Sequence, residues 1–490
     1  MTEIKEYKML IDGEWVDAEN SQTFSSLNPE NNEPWCTAPE ASESDVNNAV
    51  FAAKNAFNNW KSLDIKVRAD YMREIGKLLA ENAESLAKIE SIDTGKILKE
   101  TKFMNEYLPK YYEYFSNLAE KRDTEVAIKD VDKDDMTVQI ISEPIGVCAI
   151  LCPWNQQLFI LSNKLIPALL CGNTCVIKVS EQSPAPILEF AGLLNKVLPA
   201  GVVNVVSGGV NPSKVLTSHK DVGKLLITAG TKTGKEIIKN SSNNMASLIL
   251  ELGGKSSAIV EADADIENAI NGILVGSMSG NGSSCISSSV LLLNYKIYDS
   301  FLEKLIERVK DIKLGPVLDS ETQMGPIISE NQIQLLESSI KLSVEAGAKV
   351  LCGGKRVANS KGNYFEPTII ECSNRNVNCA TEELFFACLS VIKYETEEEA
   401  IQIANNTIYG LAGAIYTEDK VKAERVARKL DAGIIYKNTY RWVSPHVSYG
   451  GRKASGYGRL SGENVFDQME TKKSVWTALS PSTEDPFRIR

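Results

Sequence analysis

Residues 146–209 decide the fold of this chain: GVCAILCPWNQQLFILSNKLIPALLCGNTCVIKVSEQSPAPILEFAGLLNKVLPAGVVNVVSGG. The runs GVCAILCPW, TCVIKVS and VVNVVSGG are short, apolar and rich in β-branched residues, as buried strands are. Between them lie two longer apolar segments, FILSNKLIPALLCG and ILEFAGLLNKVLPAG, with Gly172 and Gly201 where helices would end. Strands that alternate with helices pair in parallel, so this stretch predicts an α/β fold built on a parallel sheet.

The same alternation continues on both sides of this stretch. Residues 45–60 and 68–98 have apolar positions at spacings of three and four, which predicts two amphipathic helices. Downstream, the strand KLLIT, the loop AGTKTG and a helix beginning GKEIIKN precede the strands SLILELGG and SAIVEA. The helix in ADADIENAINGILVGSM is expected to be capped by Asp263 or Asp265. Residues 290–420 repeat the pattern, which predicts a second domain.

Residues 124–142 interrupt this alternation. Two β-runs flank a charged turn at 132–135, which is typical of a hairpin. No neighbouring apolar segment is available to cover this hairpin. We therefore predict an arm that docks on another subunit.

Composition limits the classes of partner. The chain has 490 residues, a net charge of −11 and 43% hydrophobic residues, which is ordinary for a globular protein. No Lys/Arg-rich stripe is present, so nucleic acid and acidic membranes are not expected to bind. The N-terminal sequence lacks the apolar core of a secretory signal, and no apolar run is long enough to span a membrane. We expect a cytoplasmic protein.

The ten cysteines are scattered, which predicts free thiols rather than a disulfide framework. The pairs Cys148/Cys152 and Cys171/Cys175 have a spacing that a four-thiolate zinc site could use. Both pairs lie in apolar, β-branched strings, where residues four apart share one face of a strand. We predict core thiols there and no metal site.

Cys285 differs from the other cysteines because it lies in an open Gly/Ser-rich string, NGSSCISSS. A thiol in such a loop is accessible to a small molecule and to backbone N–H groups, which suits a nucleophile. The chain has only two histidines, His219 in a polar connector and His446 near the C-terminus. Neither lies in a motif typical of a Cys–His dyad, so a general base is expected to be a carboxylate.

No common nucleotide-binding fingerprint is present. The patterns GxGxxG and GxxxxGK[ST] are both absent from the sequence. The string GTKTG, residues 230–234, joins a strand to a helix, where backbone N–H groups can face a diphosphate. Lys178 and Glu181 follow another strand, at the sheet edge where ligands bind in open α/β folds.

Several motifs together carry a family resemblance. In chain order they are CPWN (152–155), KVSEQSP (178–184), TAGTKTG (228–234), ELGGKS (251–256), NGSSC (281–285), EELF (382–385) and YGGRKASGYGR (449–459). Their order and spacing resemble those of the aldehyde dehydrogenase superfamily across essentially the whole chain. The segment NTYRWVSPH (438–446) additionally resembles a branch that includes hydroxybutyrolactone and semialdehyde dehydrogenases.

The resemblance implies NAD-dependent oxidation of an aldehyde to an acid. Cys285 matches the nucleophile, Asn155 the donor to the developing oxyanion, and Glu251 the base that activates water. Lys178 and Glu181 match the pair that binds the adenosine ribose. A carboxylate at Glu181 repels a 2′-phosphate, so NAD is favoured over NADP.

Further assignments come from the same resemblance. The cofactor residues it implies are Cys152, Trp154, Lys178, Glu181, Gly230, Thr231, Gly234, Leu252, Glu383 and Phe385. The expected substrate pocket contains Gln156, Phe159, Ser284, Ile286, Tyr440, Trp442 and His446. Its aromatic and neutral polar groups favour a neutral or aromatic aldehyde, with Arg441 the one candidate partner for a substrate carboxylate.

The resemblance also implies a division of the chain. A Rossmann-like NAD-binding domain comprises 1–122 and 144–253, and a second α/β catalytic domain comprises 254–460. A small β arm and C-terminal strand, 123–143 and 461–490, mediate oligomerisation. A homodimer or homotetramer is expected.

The chain departs from the family pattern at several positions. These are Gln157, Ser283–Ser284, Val290, Phe386–Cys388 and Leu460, the last in place of a glutamate. Two alternatives follow from the resemblance and its exceptions. One is a CoA-acylating semialdehyde dehydrogenase, although that branch generally lacks the base matched by Glu251. The other is a catalytically idle NAD-binding protein on the same fold.

Overall fold

The alternation of strands and helices is observed along most of the chain in a computed structural model, which describes residues 4–128, 131, 135–480 and 487. The strands are β1 (Lys5–Glu6), β2 (Met9–Ile11), β3 (Glu14–Val16), β4 (Thr23–Asn28), β5 (Glu33–Pro39), β6 (Glu125–Ile128), β7 (Met136–Pro144), β8 (Val147–Leu151), β9 (Thr174–Lys178), β10 (Val203–Val206), β11 (Val222–Thr228), β12 (Ser247–Glu251), β13 (Ser257–Val260), β14 (Val290–Asn294), β15 (Lys349–Cys352), β16 (Thr368–Glu371), β17 (Cys388–Tyr394), β18 (Tyr409–Gly410), β19 (Ala412–Tyr416), β20 (Ile434–Lys437), β21 (Arg452–Lys453), β22 (Gly456–Tyr457) and β23 (Glu470–Ala478). The α-helices are α1 (Glu43–Lys61), α2 (Ile65–Thr94), α3 (Leu98–Tyr107), α4 (Pro109–Ala119), α5 (Gln157–Leu170), α6 (Ala185–Val197), α7 (Val210–Ser218), α8 (Thr231–Asn240), α9 (Ile266–Ser277), α10 (Tyr298–Lys310), α11 (Glu330–Glu345), α12 (Asn378–Thr381), α13 (Glu397–Asn405) and α14 (Lys420–Lys429).

The first sheet has the strand order β22-β12-β11-β8-β9-β10-β2-β3. Its strands β12, β11, β8, β9 and β10 are parallel, and the strands added at the two ends are antiparallel. All five residues of β8 and all five of β9 are buried, as expected for parallel strands covered by helices on both faces. The α/β fold predicted from residues 146–209 is confirmed.

The second sheet has the order β15-β16-β17-β14-β13-β19-β20 and is parallel except for β15. Its core is separate from that of the first sheet. Most strands of this sheet lie within residues 290–420. A small sheet of order β1-β5-β4 near the N-terminus was not predicted, because its strands are short and partly polar.

The predicted helices occur with shifted ends. The pattern at 68–98 corresponds to α2, which ends earlier because Gly95 has φ 79°, and its N–H donates to the carbonyl oxygen of Ser91. The pattern at 45–60 corresponds to α1. At the start of α9, Asp265 is the cap, and its side chain accepts from the N–H of Asn268.

The predicted hairpin is present as β6 and β7, and β23 pairs along the whole of β7 to make a three-stranded sheet. Residues 132–134 of the predicted turn lie outside the described residues. A salt bridge from Arg122 to Glu470 ties this sheet to the end of α4. The last residues of the predicted C-terminal segment, 481–486 and 488–490, are likewise outside the described ranges.

One domain boundary differs from the prediction. The predicted catalytic domain extends to residue 460, yet β22 pairs with β12 at the edge of the first sheet. Leu460, Val465 and Met469 are buried in the core of the first unit, not in the arm. The chain returns to the first sheet here because the far side of β12 offers unpaired backbone groups, which β22 satisfies.

Two further properties hold for the residues that the structure describes. No helix there is long and apolar enough to cross a membrane. No group of three or more histidine, cysteine or acidic side chains there is arranged to hold a metal ion. Cys148 and Cys175 lie opposite each other on β8 and β9, whereas Cys171 follows α5 and does not lie in a strand.

Candidate active site

Cys285 lies in a loop that both units fix. The loop follows α9 through Gly280 and Asn281, which have φ 62° and φ 58°. The Asn281 amide donates to the carbonyl oxygens of Gly95 and Pro326 at 2.8 and 3.0 Å. Gly282 packs so closely on the backbone of Phe386 that a Cβ has no room there. The Gly/Ser-rich sequence therefore builds a tight, anchored turn and not a free loop.

Two tyrosines hold the cysteine from different sides. The Cys285 Sγ lies 3.4 Å from the Tyr449 hydroxyl. The Tyr440 hydroxyl donates to the carbonyl oxygen of Ile286 at 2.9 Å. Burial raises the pKa of the Cys285 thiol to about 11, and the Tyr449 hydrogen bond partly opposes this rise. The charges of Glu251 and Glu383 add to it.

Asn155 lies in the loop between β8 and α5. Its Nδ2 donates to the carbonyl oxygen of Ser283 at 3.0 Å, which orients the amide toward the Cys285 loop. An amide nitrogen carries two hydrogens, so one N–H remains available for a second acceptor.

Glu251 is the last residue of β12 and is buried. Neither carboxylate oxygen has a hydrogen-bond partner within the described ranges. Burial raises the pKa of Glu251 to about 8, and Lys164 and Arg459 oppose this rise electrostatically. A buried carboxyl group with free oxygens and a pKa near neutrality is suited to proton transfer.

Lys164, on α5, is a polar residue of this site that the sequence analysis missed. Its Nζ donates to the Thr228 hydroxyl at 2.7 Å and to the carbonyl oxygen of Ile160 at 3.3 Å. Burial lowers the pKa of Lys164, and nearby anionic groups oppose that shift. In the sequence, Lys164 has the pattern of a buried helix position, since its neighbours along the chain are apolar.

Tyr449 was also missed by the sequence analysis. It lies within the motif YGGRKASGYGR, which is the signal that could have identified it.

Two cavities meet at these residues. A large cavity of about 870 Å³ extends along the carboxyl ends of the strands of the first sheet. A small cavity of about 90 Å³ lies beside α5 and the segment 441–449. Asn155, Thr228, Glu251 and Cys285 line both. The structure thus brings together Asn155, Glu251 and Cys285, the three residues matched to catalytic roles, where the two cavities adjoin.

Charged and aromatic groups both line the large cavity. The Lys178 ammonium lies 3.2 Å from the Glu181 carboxylate. The backbone N–H of Gly254 donates to Glu383 at 2.9 Å, and burial raises the pKa of Glu383 to about 7. Near Glu383, the ring of Phe385 packs edge-on against Trp154, with centroids 5.2 Å apart.

Most of the residues matched to cofactor binding line this cavity. They are Cys152, Trp154, Lys178, Glu181, Gly230, Leu252, Glu383 and Phe385. Thr231 and Gly234 are not among its lining residues. The Thr231 hydroxyl donates instead to the carbonyl oxygen of Ala454 at 3.3 Å. Gly234 is covered by the side chain of Leu252, so its role is to let α8 approach β12.

Some of the residues predicted for the substrate pocket line the small cavity and others do not. Gln156, Phe159, Ser284 and Ile286 line the small cavity, but Tyr440, Trp442 and His446 do not. Tyr440 is buried behind the Cys285 loop through its bond to Ile286. Trp442 is 73% exposed, and Arg441, the residue before it, has φ 60°.

His446 lies on the surface, with its ring 4.1 Å from that of Tyr114 on α4. The residues that line the cavity in place of Tyr440, Trp442 and His446 are Met104, Ile160, Asn163, Lys164, Arg441, Val443, Tyr449 and Leu460. Leu460, at the position where the family has a glutamate, makes this wall apolar beside Lys164.

Two of the other departures, Phe386 and Gln157, have visible packing roles. Phe386 is buried and packs edge-on against Phe365, with centroids 5.8 Å apart. Phe385 has φ 55°, so the chain turns sharply between Glu383 and β17. Gln157 donates to the carbonyl oxygen of Ser183 at 3.3 Å, which joins the start of α5 to the loop after β9.

Comparison with known proteins gives the class. The model of the aldehyde dehydrogenase family matches residues 15–475, and the chain belongs to that family. It is 41% identical over 493 residues to (Z)-2-((N-methylformamido)methylene)-5-hydroxybutyrolactone dehydrogenase of Acinetobacter baylyi, covering 99% of this chain and 100% of the relative. It is 37% identical to betaine aldehyde dehydrogenase of Bacillus subtilis, covering 98% and 99% of the two chains.

A solved structure has the same fold. Betaine aldehyde dehydrogenase from Staphylococcus aureus, crystallised with NAD+, superposes with a TM-score of 0.96 at 36% identity. The match covers 99% of this chain and 97% of that chain. The aldehyde dehydrogenase fold expected from the sequence is confirmed.

Proposed function

We propose that this aldehyde dehydrogenase oxidises an aldehyde to the carboxylic acid, with NAD as the hydride acceptor and a thioester on Cys285 as the intermediate. The meeting of two cavities at Asn155, Glu251 and Cys285 carries the proposal. One cavity is large enough for a dinucleotide and the other takes a small molecule. A thiol, an amide donor and a buried carboxyl group at their junction supply nucleophile, oxyanion partner and base.

The reaction begins at the thiol. The Cys285 thiolate adds to the aldehyde carbon, which forms a C–S bond and places negative charge on the former carbonyl oxygen. The free N–H of Asn155 and the backbone N–H of Cys285 donate to that oxygen. Loss of one such donor typically raises the barrier by about 2.7–4 kcal/mol.

The large cavity fits NAD. Gly230 caps the N-terminus of α8 at the cavity wall, and a Cβ there would contact nothing within 4 Å, so the helix N-terminus is open to a diphosphate. Lys178 and Glu181 can hydrogen-bond the hydroxyls of the adenosine ribose, and Glu383 those of the second ribose. Bound NAD accepts the hydride that leaves the substrate carbon, which becomes the carbonyl carbon of the thioester.

Hydrolysis completes the cycle. Ionised Glu251 takes a proton from water, the water oxygen attacks the thioester carbon, and the C–S bond breaks to release the acid and the Cys285 thiolate. The unpartnered oxygens of Glu251 support this role, because a base needs a free lone pair directed at the site. A CoA-acylating enzyme would not need this carboxylate.

The test is product analysis with a panel of aldehydes and NAD. We expect NADH and carboxylic acid in equal amounts, with no acyl-CoA when CoA is present. Acyl-CoA formed in preference to acid contradicts the hydrolytic role of Glu251. Binding of NAD without NADH formation from any aldehyde supports the idle alternative instead.

We also infer a homo-oligomer in the cytoplasm. In the three-stranded sheet, β6 is an exposed edge and Trp476 of β23 is 61% exposed, as expected for a surface that another subunit covers. The ten unpaired cysteines suit a reducing compartment. Size-exclusion chromatography with light scattering distinguishes a dimer or tetramer from a monomer.

A further inference from the structure

We propose that Arg441 selects aldehydes that carry a carboxylate at the end opposite the reacting carbonyl, an inference that rests on the proposed oxidation at Cys285. Arg441 lines the same small cavity as Cys285. The next residue, Trp442, is exposed and does not line this cavity.

Hydrogen bonds hold the Arg441 guanidinium in place but do not use all of its N–H donors. Its Nη1 donates to the carbonyl oxygens of Ser279 at 2.6 Å and Val275 at 3.2 Å, at the end of α9. Within residues 4–128, 131 and 135–480, Nε and Nη2 have no hydrogen-bond partner, and no carboxylate forms a salt bridge with Arg441. A rigid guanidinium with free donors is the group best shaped to bind a carboxylate.

Lys96 is a second cation close to Arg441, and two carboxylates lie near Lys96. A Cβ on Gly280 would lie 3.4 Å from Arg441 Nη2 and 3.6 Å from Lys96 Nζ, so both cations adjoin this glycine. Lys96 is buried, and Glu90 and Glu100 act on it electrostatically. The Glu100 carboxylate is also held by the Gly280 N–H at 2.8 Å. Within the described residues neither Glu90 nor Glu100 forms a salt bridge with Arg441, so its guanidinium keeps donors for an anion.

The rest of the cavity wall favours an anion over a cation. Among its described lining residues Glu251 is the single carboxyl group, and Lys164 is a second cation. Burial raises the pKa of Glu251 to about 8, so it is mostly neutral at pH 7. The cavity wall also has apolar side chains, among them Phe159, Ile286 and Leu460. A short aliphatic chain between an aldehyde and a carboxylate matches this arrangement.

The same wall disfavours a quaternary ammonium group. Such cations are recognised by several aromatic rings around them. The aromatic rings on the small cavity, in the described part of the chain, belong to Phe159 and Tyr449, and Arg441 repels a cation. Betaine aldehyde, which names two of the relatives, is a quaternary ammonium aldehyde and is therefore expected to be a poor substrate for this chain.

The experiment compares 4-oxobutanoate, its methyl ester, butanal and betaine aldehyde by kcat/KM on the full chain with NAD. We expect 4-oxobutanoate to exceed butanal by about tenfold or more, the value of one charge-assisted hydrogen bond. Arg441→Gln should lower the ratio of kcat/KM for 4-oxobutanoate to that for butanal by about tenfold. Arg441→Lys should retain part of it, and Arg428→Gln, at a remote exposed arginine, should leave it unchanged.

A structural role gives a different result. If Arg441→Gln lowers kcat/KM equally for all four aldehydes, the guanidinium only holds the end of α9 and the proposal is wrong. A preference for butanal or betaine aldehyde in the unmodified protein also overturns it.

A second readout needs no turnover and so separates this inference from the proposed function. Succinate should protect Cys285 from iodoacetamide better than butyramide does, as measured by mass spectrometry of the Cys285 peptide. The Arg441→Gln variant should lose that difference. Equal protection by succinate and butyramide in the unmodified protein contradicts the inference even if no aldehyde is oxidised.

Discussion

The Tyr449 hydroxyl lies 3.4 Å from the Cys285 sulfur, across more than 160 residues of sequence. Its position depends on the backbone pairing of Tyr449 with Leu460, in which each N–H donates to the other's carbonyl oxygen, at 2.6 and 2.8 Å. The segment that returns to the first sheet thus brings a hydroxyl donor to a thiol of the second unit.

Replacing Tyr449 by phenylalanine removes this donor and nothing else. Because a hydrogen bond to the thiolate is lost, the pKa of Cys285 should rise, and alkylation by iodoacetamide at neutral pH should slow by about three- to tenfold. Tyr295→Phe, at a half-exposed ring, is the matched control and should leave the rate unchanged. An unaltered alkylation rate in Tyr449→Phe shows that the contact does not support the thiolate.

The acid limb of the pH profile should reflect Glu251. Its pKa is raised to about 8, so the base is protonated and inactive below that pH, and ester or thioester hydrolysis should increase as pH rises through about 8. Glu251→Gln should abolish this limb and reduce steady-state turnover by at least about a hundredfold, since a general base contributes that much. A burst of NADH equal to the enzyme concentration should remain.

Loss of the burst together with the steady state in Glu251→Gln contradicts a purely hydrolytic role. It indicates that the carboxylate also activates the Cys285 thiol. Stopped-flow absorbance of NADH distinguishes the two outcomes.

Cofactor choice should depend on Glu181. Glu181→Gln removes the carboxylate that repels a 2′-phosphate, so the ratio of kcat/KM for NAD to that for NADP should fall by about tenfold. Glu236→Gln is a matched control, because Glu236 lines the same cavity but pairs with Lys239 on α8. The same fall in both variants means that overall charge, not the ribose contact, controls the choice.

Gly253 should be essential for the position of Glu383. A Cβ at Gly253 would collide with the Glu383 carboxylate. Gly253→Ala should therefore weaken NAD binding by about tenfold or more, by displacing a ribose partner, while thiol alkylation at Cys285 persists. Gly192→Ala, where a Cβ has ordinary contact distance, is the control and should bind NAD normally. Isothermal titration calorimetry measures the affinity.

Local sequence patterns predicted the parts of the fold in which neighbours along the chain pack together. The strands from Val147 to Val206 and the helices between them follow from apolar runs and glycine stops. The helix cap at Asp265 was likewise predicted from the residues directly before the helix. The edge strand β22 could not be predicted, because two residues of a Gly-rich segment pair with β12 only after both units have folded.

In the active site, too, the sequence did not reveal features that depend on contacts between distant parts of the chain. Motif resemblance located Cys285, Glu251 and Asn155, and the structure brings them to one junction. Tyr440, Trp442 and His446 are not among the residues that line the small cavity, and the positive φ of Arg441 in this segment could not be read from the sequence. Lys164 was missed because its partner Thr228 is 64 residues away.

The central claim is a thioester on Cys285, and mass spectrometry of the Glu251→Gln variant tests it most directly. After incubation with aldehyde and NAD, followed by acid quench, the protein should carry one acyl group, located on the Cys285 peptide. Cys285→Ala should show neither the adduct nor NADH, yet still bind NAD. An adduct on another residue, or NADH formed by Cys285→Ala, contradicts the account.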